Sequence, residues 1–185
     1  MRDATKRFYA EVWPHAATVL RTAQYLTHDQ AQADDLSQEV MLKAFRHLDQ
    51  LQPGTDAKAW LMTILRHTRI DRIRAAAAHQ RDVSLEDLGS EPAATATGDA
   101  TDEVWNEPEA VLQEFSDQQV IEALKKLPEE IRWTLLLVDV EGMDQADAAT
   151  ILGVPVGTIK SRAHRGRGML REALTPLARE IRMIR

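Results

Sequence analysis

No cysteine occurs in the 185 residues, which excludes disulfides, thiolate zinc sites and thiol nucleophiles. No apolar run approaches a membrane span, and the opening residues (MRDATKRFYAEVW) contain no apolar stretch of signal-peptide length. No membrane insertion is expected, and the cytoplasm is the default address. No segment alternates apolar and polar residues as a half-buried strand does. The six histidines (His15, His28, His47, His67, His79 and His164) show no paired metal-ligand spacing, and no glycine-rich loop is built to cradle a phosphate. No catalytic constellation is present, so neither enzymatic activity nor a metal or cofactor is expected.

Basic residues are missing from one long segment. Between Asp82 and Asp117 there are 11 acidic side chains and no basic one. The net charge of −6 therefore misleads: outside this segment 23 Lys and Arg face 18 Asp and Glu, a net +5. From Thr158 to Arg185 there are 8 basic residues and 2 acidic ones. Phosphate contact depends on such local charge and not on the average, so nucleic acid stays open as a partner. For the last arginines (Arg179, Arg182 and Arg185) a solvated helix face is the preferred reading.

Helical periodicity runs through the rest. Asp3 to Leu26 reads as one helix or two, with a break at Pro14. Thr27 or Asp29 can cap a helix that runs to about Asp49, with Leu36, Val40, Ala44 and Leu48 inward at one-turn spacing. After the break at Pro53-Gly54, Thr55 or Asp56 can cap a helix with Trp60, Leu61, Ile64 and Leu65 on its apolar side, reaching about Ala78. Residues 82–117 carry too little apolar surface to offset their ordering entropy, apart from the Val104-Trp105 pair. The helical pattern resumes near Glu109 and continues to Lys126, and Leu127-Pro128-Glu129-Glu130 marks another helix start. Ile131, Leu135 and Val138 form the inward stripe of that helix, and Gly142 ends it. The pattern predicts an all-α fold of two small helical domains, a bundle over 1–80 and a helix-turn-helix bundle over 118–185. A flexible acidic linker over 81–117 joins them.

The most specific feature lies between Asp144 and Leu170. Asp144 can cap a short helix ending at Leu152, Gly153 supplies a left-handed turn, and Pro155 opens a long helix. Ala149, Gly153 and Ile159 are the small residue, turn glycine and β-branched anchor that a DNA-reading helix-turn-helix needs, at separations of four and six. In the second helix, Val156, Ile159, Ala163 and Leu170 are expected to point inward. Thr158, Lys160, Ser161, His164, Arg165 and Arg167 remain outside as a polar, basic surface suited to a major groove. The bland alternative is a helical hairpin that happens to carry a basic face.

The stretch from Ala123 to Leu170 contains LPEEIR, DVEG, LGVPVGTIKSR and RGRGML, in that order. It resembles the fourth conserved region of extracytoplasmic-function sigma factors. GTIKSR alone would fit other helix-turn-helix regulators. DDLSQEVMLKAFRHLDQL, from Asp34, resembles that family's second region, whose helix docks on the polymerase clamp. AWLMTILRHTRIDRIR, from Ala59, resembles the helix that meets the minus-ten element. Three departures stand out. His67 replaces the usual Asn, Ala148-Ala149 replaces a commoner Ile-Ala, and Gly166 and Gly168 interrupt the usual Arg-Ala-Arg run. Each glycine costs a helix about 1 kcal/mol relative to Ala, so the second helix is expected to firm up on DNA.

The resemblance implies core RNA polymerase, promoter DNA and an anti-sigma factor as partners, with the polymerase doing the chemistry. It assigns Asp35, Gln38 and Glu39 to polymerase contact, where the bland alternative is a solvated face. Arg66, Arg69, Arg72 and Arg74 lie along one broad side of their helix, with only Asp71 as a nearby acid. They fall to the melted promoter strand. Trp60 stands where primary sigma factors carry an aromatic wedge, but a core role is preferred because its helix needs an apolar face. The loop from Leu51 to Lys58 matches the family's base-capturing loop by position. The acidic linker matches the segment threaded toward the RNA path. Two rivals remain: a free-standing helix-turn-helix regulator, which would leave the first eighty residues as a sensor or dimerisation domain, and an adaptor that mimics a sigma factor.

Overall fold

Aspartate side chains open three of the helices in the computed structural model, which describes residues 2–27, 29–83 and 117–183. The first chain segment folds as α1 (Arg2–Arg7), a π-helical turn (Phe8–Val12), a 3-10 turn (Trp13–His15) and α2 (Ala16–Leu26). The break falls at Pro14, as expected. Asp29, and not Thr27, caps α3 (Gln30–Arg46): its carboxylate accepts the Gln32 N–H at 2.8 Å. Asp56 accepts the Lys58 N–H at 2.8 Å and opens α4 (Ala57–Val83), which extends past the expected end near Ala78.

Leu36, Val40, Ala44 and Leu48 are all buried, and α3 packs between α2 and α4. Leu61 and Leu65 of α4 are fully enclosed, and so is Met62. Trp60 and Ile64 are partly buried against the same core, which agrees with a packing role for Trp60. Arg7 ties the N-terminus down by donating to the Leu48 and Leu51 carbonyls.

Residues 84–116, which hold nearly all of the acidic segment, its Val104-Trp105 pair and the helix start near Glu109, lie outside the described residues. The chain is next described from α5 (Asp117–Lys125), followed by α6 (Glu129–Leu135) and a π-helical turn (Leu136–Val140). Arg132 of the LPEEIR motif reaches back over the end of α5. Its Nε donates to the Leu124 carbonyl at 2.9 Å, and Nη2 donates to the Lys125 and Leu127 carbonyls at 2.6 and 2.9 Å. Leu124 and Lys125 end α5, where carbonyls lack the N–H of a following turn, and the Leu124 carbonyl accepts only the Leu127 N–H at 3.1 Å besides, so the arginine serves as a C-cap. Burial pulls the Arg132 pKa down, Glu129 opposes that shift, and neighbouring Arg69 adds to it. The motif's arginine is thus explained by folding.

Asp144 accepts the Asp147 N–H at 2.7 Å and opens α7 (Gln145–Leu152). Gly153 follows with φ of 64°, a left-handed conformation that costs glycine no Cβ clash. The last helix, α8 (Val156–Met183), runs through Gly166 and Gly168 without interruption. The two glycines differ physically. A Cβ at Gly166 would stand 2.6 Å from Ile131 Cγ2 and 3.0 Å from Leu135 Cγ, because α6 crosses α8 there. A Cβ at Gly168 would meet nothing within 4 Å. Gly166→Ala should therefore destabilise the free chain by about 1–3 kcal/mol through overpacking. Gly168→Ala should stabilise it by up to about 1 kcal/mol. Thermal unfolding of both variants checks this, and a stabilised Gly166→Ala chain would refute the close approach.

The described residues are all-α, in two helical regions either side of the acidic segment, with no strand among them. The regions touch. α7 packs across α4, α5 rests on α2, and the buried side chains of both join in one apolar cluster.

Candidate nucleic-acid interface

The helix-turn-helix forms from the expected parts. Ala149 lies buried where α7 meets α8, Gly153 makes the turn, and Ile159 is fully enclosed. The inward stripe of α8 is Ile159, Ala163, Gly166, Leu170 and Leu174. Val156 departs from expectation. It is 40% exposed, because the first turn of α8 projects beyond the body that α6 and α7 provide. An apolar tip at the leading end of a reading helix suits contact with a thymine methyl.

Lys160, Ser161, His164 and Arg165 are exposed along one face at three-and-four spacing, with Thr158 partly buried beside them. Lys160 and Arg165 have no acidic partner among the described residues. Arg167 is different: it grips Asp139 with Nη2 at 2.8 Å and Nε at 3.1 Å. That hydrogen bond raises the arginine's pKa against the opposing effect of burial. Arg162 pairs in the same way with Glu130. These two bridges fasten one flank of α8 to α6, its terminal π turn included, and leave Lys160 and Arg165 pointing outward. Flank cations that brace the helix look no different in sequence from those that face solvent.

The four arginines of α4 also divide. Arg66 is partly buried and Arg74 exposed, neither with an acidic partner among the described residues. Arg72 turns to α3, where Nε meets Glu39 at 2.8 Å and Nη2 donates to the Asp35 carbonyl at 2.9 Å. Arg69 is only 17% exposed, with Nε 3.6 Å from Glu129 of the C-terminal region and no hydrogen-bond acceptor for that nitrogen. The structure thus places Arg66 and Arg74 toward solvent and gives Arg69 and Arg72 intramolecular partners.

On α3, Asp35 and Gln38 are exposed, whereas Glu39 is shared between Lys43 at 3.0 Å and Arg72 at 2.8 Å. Burial raises the Glu39 pKa, but hydrogen bonds and charge from Lys43 and Arg72 outweigh it and hold the carboxyl below its ordinary range. Two neighbours that sequence reasoning missed are Leu42 and Phe45, 57% and 44% exposed. With Asp35 and Gln38 they form a stripe at spacings of three, four and three, opposite the buried one. Phe45 meets Phe8 edge-on with centroids 5.2 Å apart, and exposed Tyr9 and Trp13 continue the aromatic surface. Large apolar side chains clustered in water mark a contact site for another macromolecule.

Both regions have known counterparts. Residues 13–79 match sigma-70 region 2, and residues 117–170 match sigma-70 region 4. The chain is 40% identical over 141 residues to the ECF RNA polymerase sigma factor EcfG of Rhodopseudomonas palustris, covering 75% of this chain and 68% of that protein. This chain belongs to the sigma-70 family. It is a sigma factor of the extracytoplasmic-function type, a non-enzymatic subunit that directs RNA polymerase to promoters. The RNA polymerase sigma-H factor of Pseudomonas aeruginosa is 32% identical over 83% of this sigma factor and 78% of its own length. The ECF sigma factor SigE of Mycolicibacterium smegmatis is 34% identical over 86% of this chain, which spans 58% of that relative.

Among solved structures, the sigma factor RpoE in complex with the anti-sigma factor NepR from Bartonella quintana has a TM-score of 0.71 and 29% identity. The likeness covers 92% of this chain and 98% of that one, so it includes both helical regions. CnrH, in complex with the cytosolic domain of CnrY, shares the fold at a TM-score of 0.62 and 21% identity, over 94% and 95% of the two chains. The region 2 match accounts for the residues that a free-standing regulator would have left as a sensor. No helix among the described residues is long and apolar enough to cross a membrane.

Proposed function

We propose that this sigma factor reads the upstream promoter element as duplex through Lys160, Ser161, His164 and Arg165 of α8. Val156 adds an apolar contact at the tip and Thr158 a polar one at the edge. The observation that carries this reading is the exposed polar and basic stripe on the second helix of a fully formed helix-turn-helix. Arg167 braces that helix through Asp139 and lies within reach of the flanking backbone. Arg66 and Arg74 meet phosphates of the melted downstream strand, where Arg69 and Arg72 join once their acidic partners release them. The division into a region 2 domain at 1–80, a linker at 81–117 and a region 4 domain at 118–185 fits this separation of tasks.

Core polymerase docks on the α3 stripe of Asp35, Gln38, Leu42 and Phe45, with Glu39 holding that face against α4. An anti-sigma factor competes for one or both regions. The site of action is the cytoplasm, where the polymerase is.

The test separates base reading from phosphate attraction. Arg165 lies near the end of α8 that enters the groove, and exposed Arg171 lies further along. Arg165→Ala should relax preference at one or two positions of the upstream element by roughly 1–3 kcal/mol. Arg171→Ala should weaken all sequences equally and lower the salt dependence. The measurement is holoenzyme binding to a panel of upstream variants at two salt concentrations. A uniform loss for Arg165→Ala would show that this face does not read bases through Arg165.

A further inference from the structure

Glu141 is the one charged residue that is fully buried among the described residues, its side chain 1% exposed. It ends the π-helical turn after α6, immediately before Gly142. Every side chain that meets its carboxylate comes from the N-terminal region. Arg21 of α2 reaches Oε1 with Nη2 at 2.8 Å and Nε at 3.3 Å, and the Thr22 hydroxyl donates to the same oxygen at 3.4 Å. Lys58, at the start of α4, places Nζ 3.1 Å from Oε2, an ion pair that leaves that oxygen without a hydrogen bond, and donates to the Glu141 carbonyl. One carboxylate therefore ties the C-terminal region to two N-terminal helices. Glu129 adds a second tie through Arg69 on α4.

Enclosing a carboxylate costs solvation that only well-placed cations return. Both cations lie at the rim, with Arg21 48% and Lys58 25% exposed, so water can replace Glu141 as their partner when the regions separate. This closed arrangement cannot be the promoter-bound one. The upstream element that the C-terminal region reads is the minus-thirty-five element, which by its position lies about 25 base pairs from the minus-ten element, or about 85 Å of B-DNA at 3.4 Å per step. A compact chain of this length is roughly 40 Å across. In the closed form, moreover, Arg69 is spent on Glu129 beneath the C-terminal region.

We propose that Glu141 is a closure latch: gripped by Arg21 and Lys58, it holds the free sigma factor shut, with its C-terminal region over α4, until binding releases it. This rests on the promoter role of α4 given above. Because the bound state is open, the closed fraction subtracts from apparent affinity for the polymerase, and loosening the latch returns it.

The absence of cysteine makes the test direct. Asp49→Cys and Glu172→Cys, both at exposed positions, accept a spin-label pair on the full chain, one in each region. The parent should give a short, narrow distance distribution. Glu141→Gln should shift most of the population to long distances and tighten binding to core polymerase by about tenfold. Arg21→Ala should do the same in part. It leaves Lys58 on the carboxylate and disturbs only a half-exposed side chain, so it keeps the test valid if Glu141→Gln loses helix content by circular dichroism. Glu122→Gln, an exposed carboxylate whose hydrogen bonds go to Gln118 and Lys125 of its own helix, should change neither distance nor affinity.

Unchanged distances in Arg21→Ala and in a folded Glu141→Gln would overturn the latch. So would opening without any gain in polymerase affinity. Failure of every form, parent included, to bind core polymerase would instead count against the sigma-factor assignment, and the distances would still decide the latch.

Discussion

Leu42→Asp should lower the affinity of this sigma factor for core polymerase by about a hundredfold, with helix content unchanged. Leu42 is 57% exposed on the outer face of α3, so the substitution removes little packing from the folded chain. Its effect belongs to the complex. A large apolar side chain at the centre of a desolvated contact is commonly worth 2 kcal/mol or more, and an unpaired carboxylate in its place adds a solvation cost (~2–3 kcal/mol in all). Phe45→Asp should be as severe for binding, but it also breaks the edge-on contact with Phe8 and should lower the melting temperature. Leu42 is therefore the cleaner probe. Sedimentation or fluorescence titration of labelled chain against core polymerase measures the loss. An unchanged affinity for Leu42→Asp would remove this stripe from the docking surface.

A second large effect concerns DNA binding by the sigma factor alone. Its affinity for promoter duplex should be at least about a hundredfold weaker than that of the holoenzyme. Each region offers few contacts, and only a fixed spacing converts the second contact into an intramolecular event, a gain of about 10²–10⁴. The closed arrangement deepens the difference, because Arg69 is occupied and the two elements cannot be reached at once. Electrophoretic shifts with and without core polymerase give the ratio. Equal affinities would mean that the helix-turn-helix works as an independent regulator.

What could be read from the chain follows from the range of each interaction. The helix-turn-helix was legible because its determinants are local: Asp144 caps an N–H three residues away, and Gly153 and Pro155 act on their own backbone. The buried stripe of α3 was legible from its period. Val156 was misplaced because the same period assumes a helix packed along its whole length, and the first turn of α8 overhangs its support. Arg69, Arg72 and Arg167 looked equivalent to Arg66, Arg74 and Arg165, since their partners Glu129, Glu39 and Asp139 lie 28 to 60 residues away in sequence. Gly166 read as a weakness in the helix, and only the crossing of α6 shows it to be a requirement of close packing. Leu42 and Phe45 carried a usable signal, an apolar pair on the face opposite the buried stripe. Glu141 stood out only as part of the DVEG motif, and nothing near it in sequence announces Arg21 or Lys58.

Transcription by reconstituted holoenzyme tests the central claim most directly. Core polymerase from the source organism, mixed with the purified chain and promoter-bearing fragments of its genome, should start transcripts at defined positions. Those transcripts should be absent without the chain and should fall sharply with Leu42→Asp. Start sites that do not depend on the chain, or no transcript from any fragment, would contradict its assignment as a promoter-specificity subunit.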